Sequence, residues 1–523
     1  MKTIKYSIIA LAALTLTACG EDFLTNDYRS GLDADAVEKL LDESPDAVIN
    51  SYVNGMYSYM VEGYSFDNDA HDIFTFASIL HVADMTGQDM VQEKSHWFNY
   101  DYDWDNRMFN YRRTRSHWST LYTMIAKANT IINLFPEEPA EDNVVARAGL
   151  GQALAVRGLA YYYLIQLYQQ SATSDSSIIT LLPGVPLKFA ETEAVENRDS
   201  LNGRNTVGRV HQQIESDLSR AVALLEGYER PVKYFIDQSV AYGIQARYFL
   251  LKGKWQAAAD AAISAQELAA DNGLAIMEPS LLHDGFMDIS NKEWMWGFDH
   301  STETQTTYAS WFSMVSNMAP GYAGLNYAPR LIDKALYDQI SKSDERKTLF
   351  NDGVGVPNAD GEFAAAKDLP YANLKFGDKG DWTMDYVYMR VAEMVLIEAE
   401  AKAQMGNNAE AATALKKLMV NRDPKWNKAS VTVDDVFVQR RIELWGEGFN
   451  FFDFKRLNKV VDRRYKDSNH RTKVYAHHGA DYINLDPKGN PYSWEKLAKD
   501  WTYQIPVTEM NENPRILGSE QNP

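Results

Sequence analysis

Two segments of this chain place the same residues at the same distances from a turn, and this constrains the fold more than any other feature of the sequence. Residues 239–268 read SVAYGIQARYFLLKGKWQAAADAAISAQEL. With Gly253 in the turn, Ala246 lies seven residues before it, Phe249 four before, Trp255 two after, Ala258 five after and Ala265 twelve after. Residues 388–420, YMRVAEMVLIEAEAKAQMGNNAEAATALKKLMV, set Gly406 in a turn and repeat Ala399 and Ala411 at two of those offsets. Small residues at such positions let two antiparallel helices approach closely, and aromatics fill the groove beside them. Two unrelated Ala-rich hairpins are the alternative, and the shared offsets favour a repeat. Stacked helix pairs form a scaffold and carry no chemistry themselves.

The unit resembles a tetratricopeptide helix pair. Helical spacing of apolar residues also predicts helices over Asp46–Tyr59, Trp118–Phe135, Val144–Tyr168, Val210–Leu225 and Ser239–Leu251. Glu293–Phe298 alternates like a short strand. Residues 61–115 and 271–385 read as irregular and rich in aromatics, Gly, Pro and Asn. Long irregular insertions in a helical scaffold are where function usually sits.

The chain has a single cysteine, Cys19, which excludes an internal disulfide, a Cys-rich zinc site and an iron–sulfur cluster. It ends the run MKTIKYSIIALAALTLTAC, in which Lys2 and Lys5 precede an apolar stretch from Tyr6 to Ala18. That stretch is too short to span a bilayer but suits a secretory leader. Leu16-Thr17-Ala18-Cys19 resembles the lipobox of bacterial lipoproteins, against the plainer reading of an ordinary signal peptide with an incidental Cys. The expected organisation is a cleaved leader over 1–18, a lipidated tether over 19–35 and one domain over 36–523, with halves at about 36–270 and 271–523. Lys plus Arg number 52 against 72 Asp plus Glu, a formal charge of −20. That balance argues against a nucleic-acid footprint, which needs clustered cations.

The order of features resembles the SusD/RagB family of Bacteroidetes outer-membrane lipoproteins. Arg390-Val391-Ala392-Glu393-Met394-Val395-Leu396-Ile397-Glu398-Ala399-Glu400-Ala401 is similar to the family's R-x-A-E-x-x-L-x-x-A-E-A helix. Residues 440–456, RRIELWGEGFNFFDFKR, are similar to its E-R-x-x-E-x-x-x-E-G-x-R-x-x-D-x-x-R signature, with Gln439 in place of the leading Glu and Asn450 in place of the usual Arg or His. The tail, Gln504-Ile505-Pro506 onward to Gln521-Asn522-Pro523, resembles the family's close. The resemblance implies a mostly α fold: a right-handed superhelix of four tetratricopeptide-like helix pairs with loop-rich insertions and few short strands. It implies a non-catalytic glycan-binding subunit, lipid-anchored at the outer membrane and facing the exterior. The implied partners are a SusC-like TonB-dependent transporter and an oligo- or polysaccharide, and some relatives capture peptides instead. Acidic Glu21 and Asp22 after Cys19 resemble the family's surface-export signal. Paired charges, Arg390 with Glu393 and Arg441 with Glu447 and Asp453, are expected to fix helix packing.

Sugars present apolar C–H faces and rims of hydroxyls, so a site needs exposed flat aromatics beside Asn, Asp, Gln or Arg. The resemblance places such residues on two facing irregular regions. Residues 84–104 offer Trp97, Tyr100 and Trp104 with Asn99, Asp101 and Gln88. Residues 299–327 offer Tyr308, Trp311, Tyr322 and Tyr327 with Asn317 and Asn326. Trp294 and Trp296 in the strand-like run, and the helical Trp118, Trp255 and Trp445, read as core or scaffold. An enzyme is the competing class, since 72 acidic residues always contain some pair with glycosidase spacing. The chain lacks G-x-S-x-G, H-E-x-x-H and P-loop motifs. Loops 351–362 and 377–381 carry the oxygen ligands that Ca²⁺ takes, but not at EF-hand spacing. No cofactor or metal is assigned, and His477-His478 reads as a solvated loop.

Overall fold

The computed structural model describes residues 43–63, 70–169, 182–304, 306–476 and 501–522. Cys19, the leader, the tether and His477-His478 lie outside the described residues. Two compact units divide the chain, Met1–Ser51 and Tyr52–Pro523. Only residues 43–51 of the first are described, and they open helix α1 (Pro45–Tyr59).

Helices dominate the second unit. The longer ones are α2 (Phe76–Thr86), α3 (Arg112–Ile132), α4 (Val144–Tyr168), α5 (Val207–Leu224), α6 (Gln238–Leu251), α7 (Trp255–Asp271), α8 (Val391–Gln404), α9 (Asn408–Met419) and α10 (Val433–Glu443). Their starts are fixed by side chains that accept orphan backbone N–H groups. Asn143 caps Ala146, Thr206 caps Arg209, and Asp237 caps Val240. Thr432 and Asp435 cap each other's backbone in a capping box.

The repeat is α6–α7 and α8–α9. Gly253 and Gly406 occupy the turns with φ of +66° and +81°, a conformation that glycine adopts without penalty. Ala246, Ala258, Ala265, Ala399 and Ala411 are all fully buried, so the small residues sit where the helices touch. Helix α7 packs on α8, joining the two pairs, and α3, α4 and α5 pack in succession upstream. Helix α2 falls inside the stretch that the sequence predicts to be irregular. All eleven of its residues are buried, so it has no polar face and no amphipathic period to reveal it.

The strands are short: β1 (Met90–Gln92), β2 (Pro183–Pro186), β3 (Arg204–Thr206), β4 (Trp294–Phe298), β5 (Arg330–Ile332), β6 (Tyr386–Arg390), β7 (Val461–Asp462) and β8 (Tyr475–Ala476). They pair antiparallel as β1–β5, β2–β3, β4–β6 and β7–β8. Trp294 and Trp296 are fully buried in β4.

Buried ion pairs tie these elements together, with partners other than those the sequence suggests. Arg390 bonds Glu293 (2.6 Å), Glu443 (3.0 Å) and Glu447 (2.8 Å), not Glu393. Glu393 instead receives Arg247 from α6, at 2.6 and 2.7 Å. Arg441 reaches Asp89 at 2.9 Å, while Asp453 takes Arg440 (3.0 Å) and Arg456 (2.8 Å). The reason is directional: Arg390 ends β6 while Glu393 lies in α8, and Arg441 lies in α10 while Glu447 and Asp453 follow it, so residues close in sequence sit on different elements and meet different neighbours. Burial alone would raise the Glu443 pKa, but Arg422, Arg390 and Arg346 hold it well below the usual carboxylate range.

Candidate functional site

A small ladder brings the irregular regions together. In β1–β5, Met90 opposes Ile332 and Gln92 opposes Arg330. The pairing continues as the Glu93 N–H donates to the Pro329 carbonyl at 3.2 Å, and Lys94 Nζ reaches the Asn326 side chain at 3.0 Å. A third segment joins where the Thr306 N–H donates to the Trp382 carbonyl at 3.0 Å, just ahead of β6. Segments some 230 residues apart in sequence thus meet at one surface.

Local structure then aims the side chains. Phe98 takes a left-handed φ of +66° and buries its ring against His81 (4.6 Å between centroids) and the Arg113 guanidinium (5.0 Å). Such a conformation is strained for an L-residue and persists because the burial over-determines it. It turns the chain so that neighbouring Trp97 is only half-buried and Tyr100 is 62% exposed.

The result is an arc of rings. Tyr322 stands at its centre, 4.9 Å from His96, 6.1 Å from Tyr308 and 6.4 Å from both Trp97 and Tyr327. Its hydroxyl is 2.6 Å from His71 Nδ1. His71 stacks on Trp97 at 5.4 Å, and Trp382 meets Tyr308 at 5.7 Å. Tyr308 and Tyr327 are about half-exposed. Beside the arc lies a pocket of about 490 Å³, lined by Trp97, Asn99, Tyr100, Tyr111, Arg112 and Asp72, among others. Burial lowers the His96 pKa, with Arg330 adding to it, which favours the neutral ring.

Of the residues singled out in the sequence, the structure brings Trp97, Asn99, Tyr100, Tyr308 and Tyr322 to this surface, with Tyr327 and Asn326 beside them. Four others are corrected. Trp311 is buried against Phe312 and Phe376, each at 4.8 Å, and presents no face to a ligand. Asn317 is buried, donating to the Arg330 carbonyl (2.7 Å) and accepting the Arg330 N–H (2.9 Å), so it pins β5. Asp101 lines the pocket floor but is buried, its oxygens engaged in a bidentate pair with Arg113 at 2.9 Å. Trp104 points away from Trp97, donating to the Thr86 carbonyl at 2.8 Å and meeting Trp501 edge-on at 4.9 Å. Gln88 is likewise spent on Asp462 of β7.

The site also includes residues that sequence reasoning passed over. Trp382 follows the loop at 377–381, and the rule that singles out aromatics in irregular segments would have found it. The same rule would have found Tyr111 in 61–115, whereas His71, His96 and Arg112 carried no such signal. Chemically the pocket offers rings, amides and a charge-balanced floor. Asp72 and Asp101 are both bonded to Arg113, at 2.6 and 2.9 Å, and Arg112 adds a bond to Asp72 at 2.8 Å.

In the acidic loops, Asn358 Oδ1 accepts the N–H groups of Asp360 and Glu362, and Asp381 caps Thr383, so these oxygens serve turns. Among the described residues no group of three or more His, Cys, Asp or Glu could hold a metal ion. No described helix is long and apolar enough to cross a membrane.

Comparison with known proteins follows the same lines. The profile of the SusD family matches residues 361–523, and that described as starch-binding associating with outer membrane matches 39–250. SusD-like protein P38 of Formosa agariphila is 23% identical over 391 residues, 66% of this chain and 72% of its own. The fold superposes on a SusD-like carbohydrate binding protein from Bacteroides vulgatus with a TM-score of 0.73 at 24% identity, covering 91% of this chain and 98% of the other. Surface glycan-binding protein A from Bacteroides thetaiotaomicron superposes at 0.63 with 14% identity, over 91% and 98%. The family profiles over 39–250 and 361–523 and the Arg390 and Arg441 signatures converge: the chain belongs to the SusD/RagB family.

Proposed function

We propose that this protein is a non-catalytic, cell-surface glycan-binding lipoprotein. In this reading Cys19 carries the acyl anchor at the outer membrane, and the body caps a SusC-like TonB-dependent transporter and aids nutrient uptake. The observation that carries the reading is the ring arc around Tyr322 with its adjoining pocket of about 490 Å³. Half-exposed Tyr308 and Tyr327 and exposed Tyr100 offer faces to sugar C–H groups, with Asn99 and Arg112 at the rim. Relatives named as carbohydrate-binding and surface glycan-binding proteins support it. The engagement of Asp72 and Asp101 by Arg113 supports binding without turnover, because a glycosidase needs one carboxyl free to act as acid.

The test is incubation with polysaccharides. Retention on an immobilised glycan with no new reducing ends is expected, and release of product would sink the reading. Parallel capture on a glycan array and a peptide pool separates a peptide-capturing protein from a glycan binder. The anchor and the partner have their own measurements: palmitate labelling lost in Cys19→Ser, and co-purification with a large outer-membrane barrel protein in detergent.

A further inference from the structure

A second pocket, of about 570 Å³, lies further along helix α3. Arg112 borders the first pocket and Ser119 the second, seven residues and about 10 Å of helical rise apart on one face. The walls are Trp118, Ser119 and Tyr122 of α3, Lys188, and Thr508 and Glu509 of the short helix Val507–Glu512. Nothing in the first site uses them.

The Glu509 carboxylate, the Tyr122 hydroxyl and the Lys188 backbone are each held by their own neighbours. Glu509 accepts Trp118 Nε1–H (3.2 Å) at one oxygen and Asn513 Nδ2–H (2.8 Å) at the other. Two neutral donors fix the carboxylate and leave its charge and remaining lone pairs unspent. Lys188 is anchored through its backbone: its N–H donates to Tyr161 at 2.7 Å and its carbonyl accepts from Asn129 at 3.1 Å. Its half-buried ammonium makes no hydrogen bond or ion pair with any described residue. Burial lowers its pKa, and Glu509 opposes that shift. Tyr122 donates to the Pro186 carbonyl at 2.7 Å, which sets its ring at 4.7 Å from that of Trp118.

A cation on an anchored backbone and a fixed carboxylate therefore share one aromatic-walled hollow with no hydrogen bond between them. An anionic ligand would suit Lys188 and Arg115 but face Glu509 and Glu512, and a cationic one would face Lys188 and Arg115. A neutral polyol satisfies both, donating hydroxyls to Glu509 and accepting from Lys188 in charge-assisted bonds, with its C–H face on Tyr122. We infer that this pocket is a second carbohydrate subsite that takes a neutral pyranose unit between Lys188 and Glu509. It rests on the glycan-binding reading of the first site only in the choice of probe.

The test is calorimetric titration of the full chain in detergent with cellohexaose, xylohexaose, mannohexaose, laminarihexaose and maltohexaose in turn. Lys188→Met combined with Glu509→Gln is expected to remove one of two binding events, or to weaken a single spanning event at least fivefold, with the melting temperature kept. Lys188→Ala alone, at a side chain that no other group leans on, serves if the double variant misfolds. Unchanged stoichiometry and affinity for every hexasaccharide would overturn the inference, as would failure of all five to bind. Tyr308→Ala with Tyr327→Ala separates the two readings. If only that pair weakens binding, the second subsite fails and the first stands. If only the Lys188 and Glu509 changes weaken it, the first site is misplaced and the second stands.

Discussion

Replacing Gly448 with alanine adds one methyl where the C-terminal signature meets helix α2. Gly448 has a φ of +91°, and an L-residue enters that half of the map at about 1–2 kcal/mol. The new Cβ would stand 2.5 Å from Leu80 Cβ and 2.9 Å from Leu80 Cα. Those atoms are tied to the helix backbone, so α2 has to move as a body, and overpacking of that kind costs about 1–3 kcal/mol. The expected loss is therefore about 2–5 kcal/mol. Gly406→Ala is the control: its φ is +81°, but its Cβ would meet nothing within 4 Å, so only the backbone penalty applies. Urea unfolding of both variants, followed by far-UV circular dichroism, gives the difference from the midpoints and the slope. The Gly448 N–H also donates to Asp84 Oδ2 at 2.7 Å, and α2 ends at Thr86, just ahead of β1 and Trp97. The Gly448 variant should therefore also bind glycan more weakly. Equal stability losses in the two variants would refute the argument.

Asp84 makes a pH prediction. Burial raises its pKa to about 8, against the backbone N–H groups of Gly448 and Asn450. The folded chain then keeps a proton that the unfolded chain has lost between about pH 4 and 8, so this group lowers stability as pH rises through that window. Asp84→Asn should lose this dependence, so the wild-type minus variant difference should fall by up to about 1.4 kcal/mol per pH unit across that window in unfolding titrations. Arg390→Met strips the shared partner from Glu293, Glu443 and Glu447, and should cost about 3–5 kcal/mol in denaturant unfolding. Arg441→Met leaves buried Asp89 without its cation, and should weaken glycan binding as well as stability. Full affinity in a folded Arg441 variant would break the link between signature and site.

The scaffold was legible because it is periodic. Gly253 and Gly406 mark their turns by local chemistry, and the buried alanines follow from helix geometry. The site was legible only as two segments. Inside an irregular segment no period says which side faces inward: Trp97 and Phe98 are neighbours, and one reaches the surface while the other is buried. For the same reason Trp311 and Asn317, in the segment that carries Tyr308 and Tyr322, turn out to be core and staple. The ion pairs were illegible for another reason. Their partners lie far apart in the chain, as with Arg247 and Glu393 (146 residues) or Arg441 and Asp89 (352 residues), so spacing within a motif carries no information about them.

That last point changes what the signature motif is for. A buried ion pair is a poor source of net stability, since desolvation offsets much of the attraction. It is, however, strongly directional, because a guanidinium fork accepts a carboxylate in few orientations. Arg441 grips Asp89 bidentately, Asn450 Oδ1 accepts the Gln88 N–H at 2.6 Å, and Trp445 Nε1 donates to the Asp89 carbonyl at 2.9 Å. All three act on the two residues immediately before β1. Strand β1 in turn sets the register against β5, and the chain leaves that ladder directly into His96 and Trp97. A three-residue strand has too few ladder bonds to fix its own register. The signature supplies the missing constraint from the far end of the sequence. Asn450 fits this role because its short amide bonds the backbone of the segment directly. In this chain the motif is thus a device for holding the irregular segment that carries His96 and Trp97 in one place.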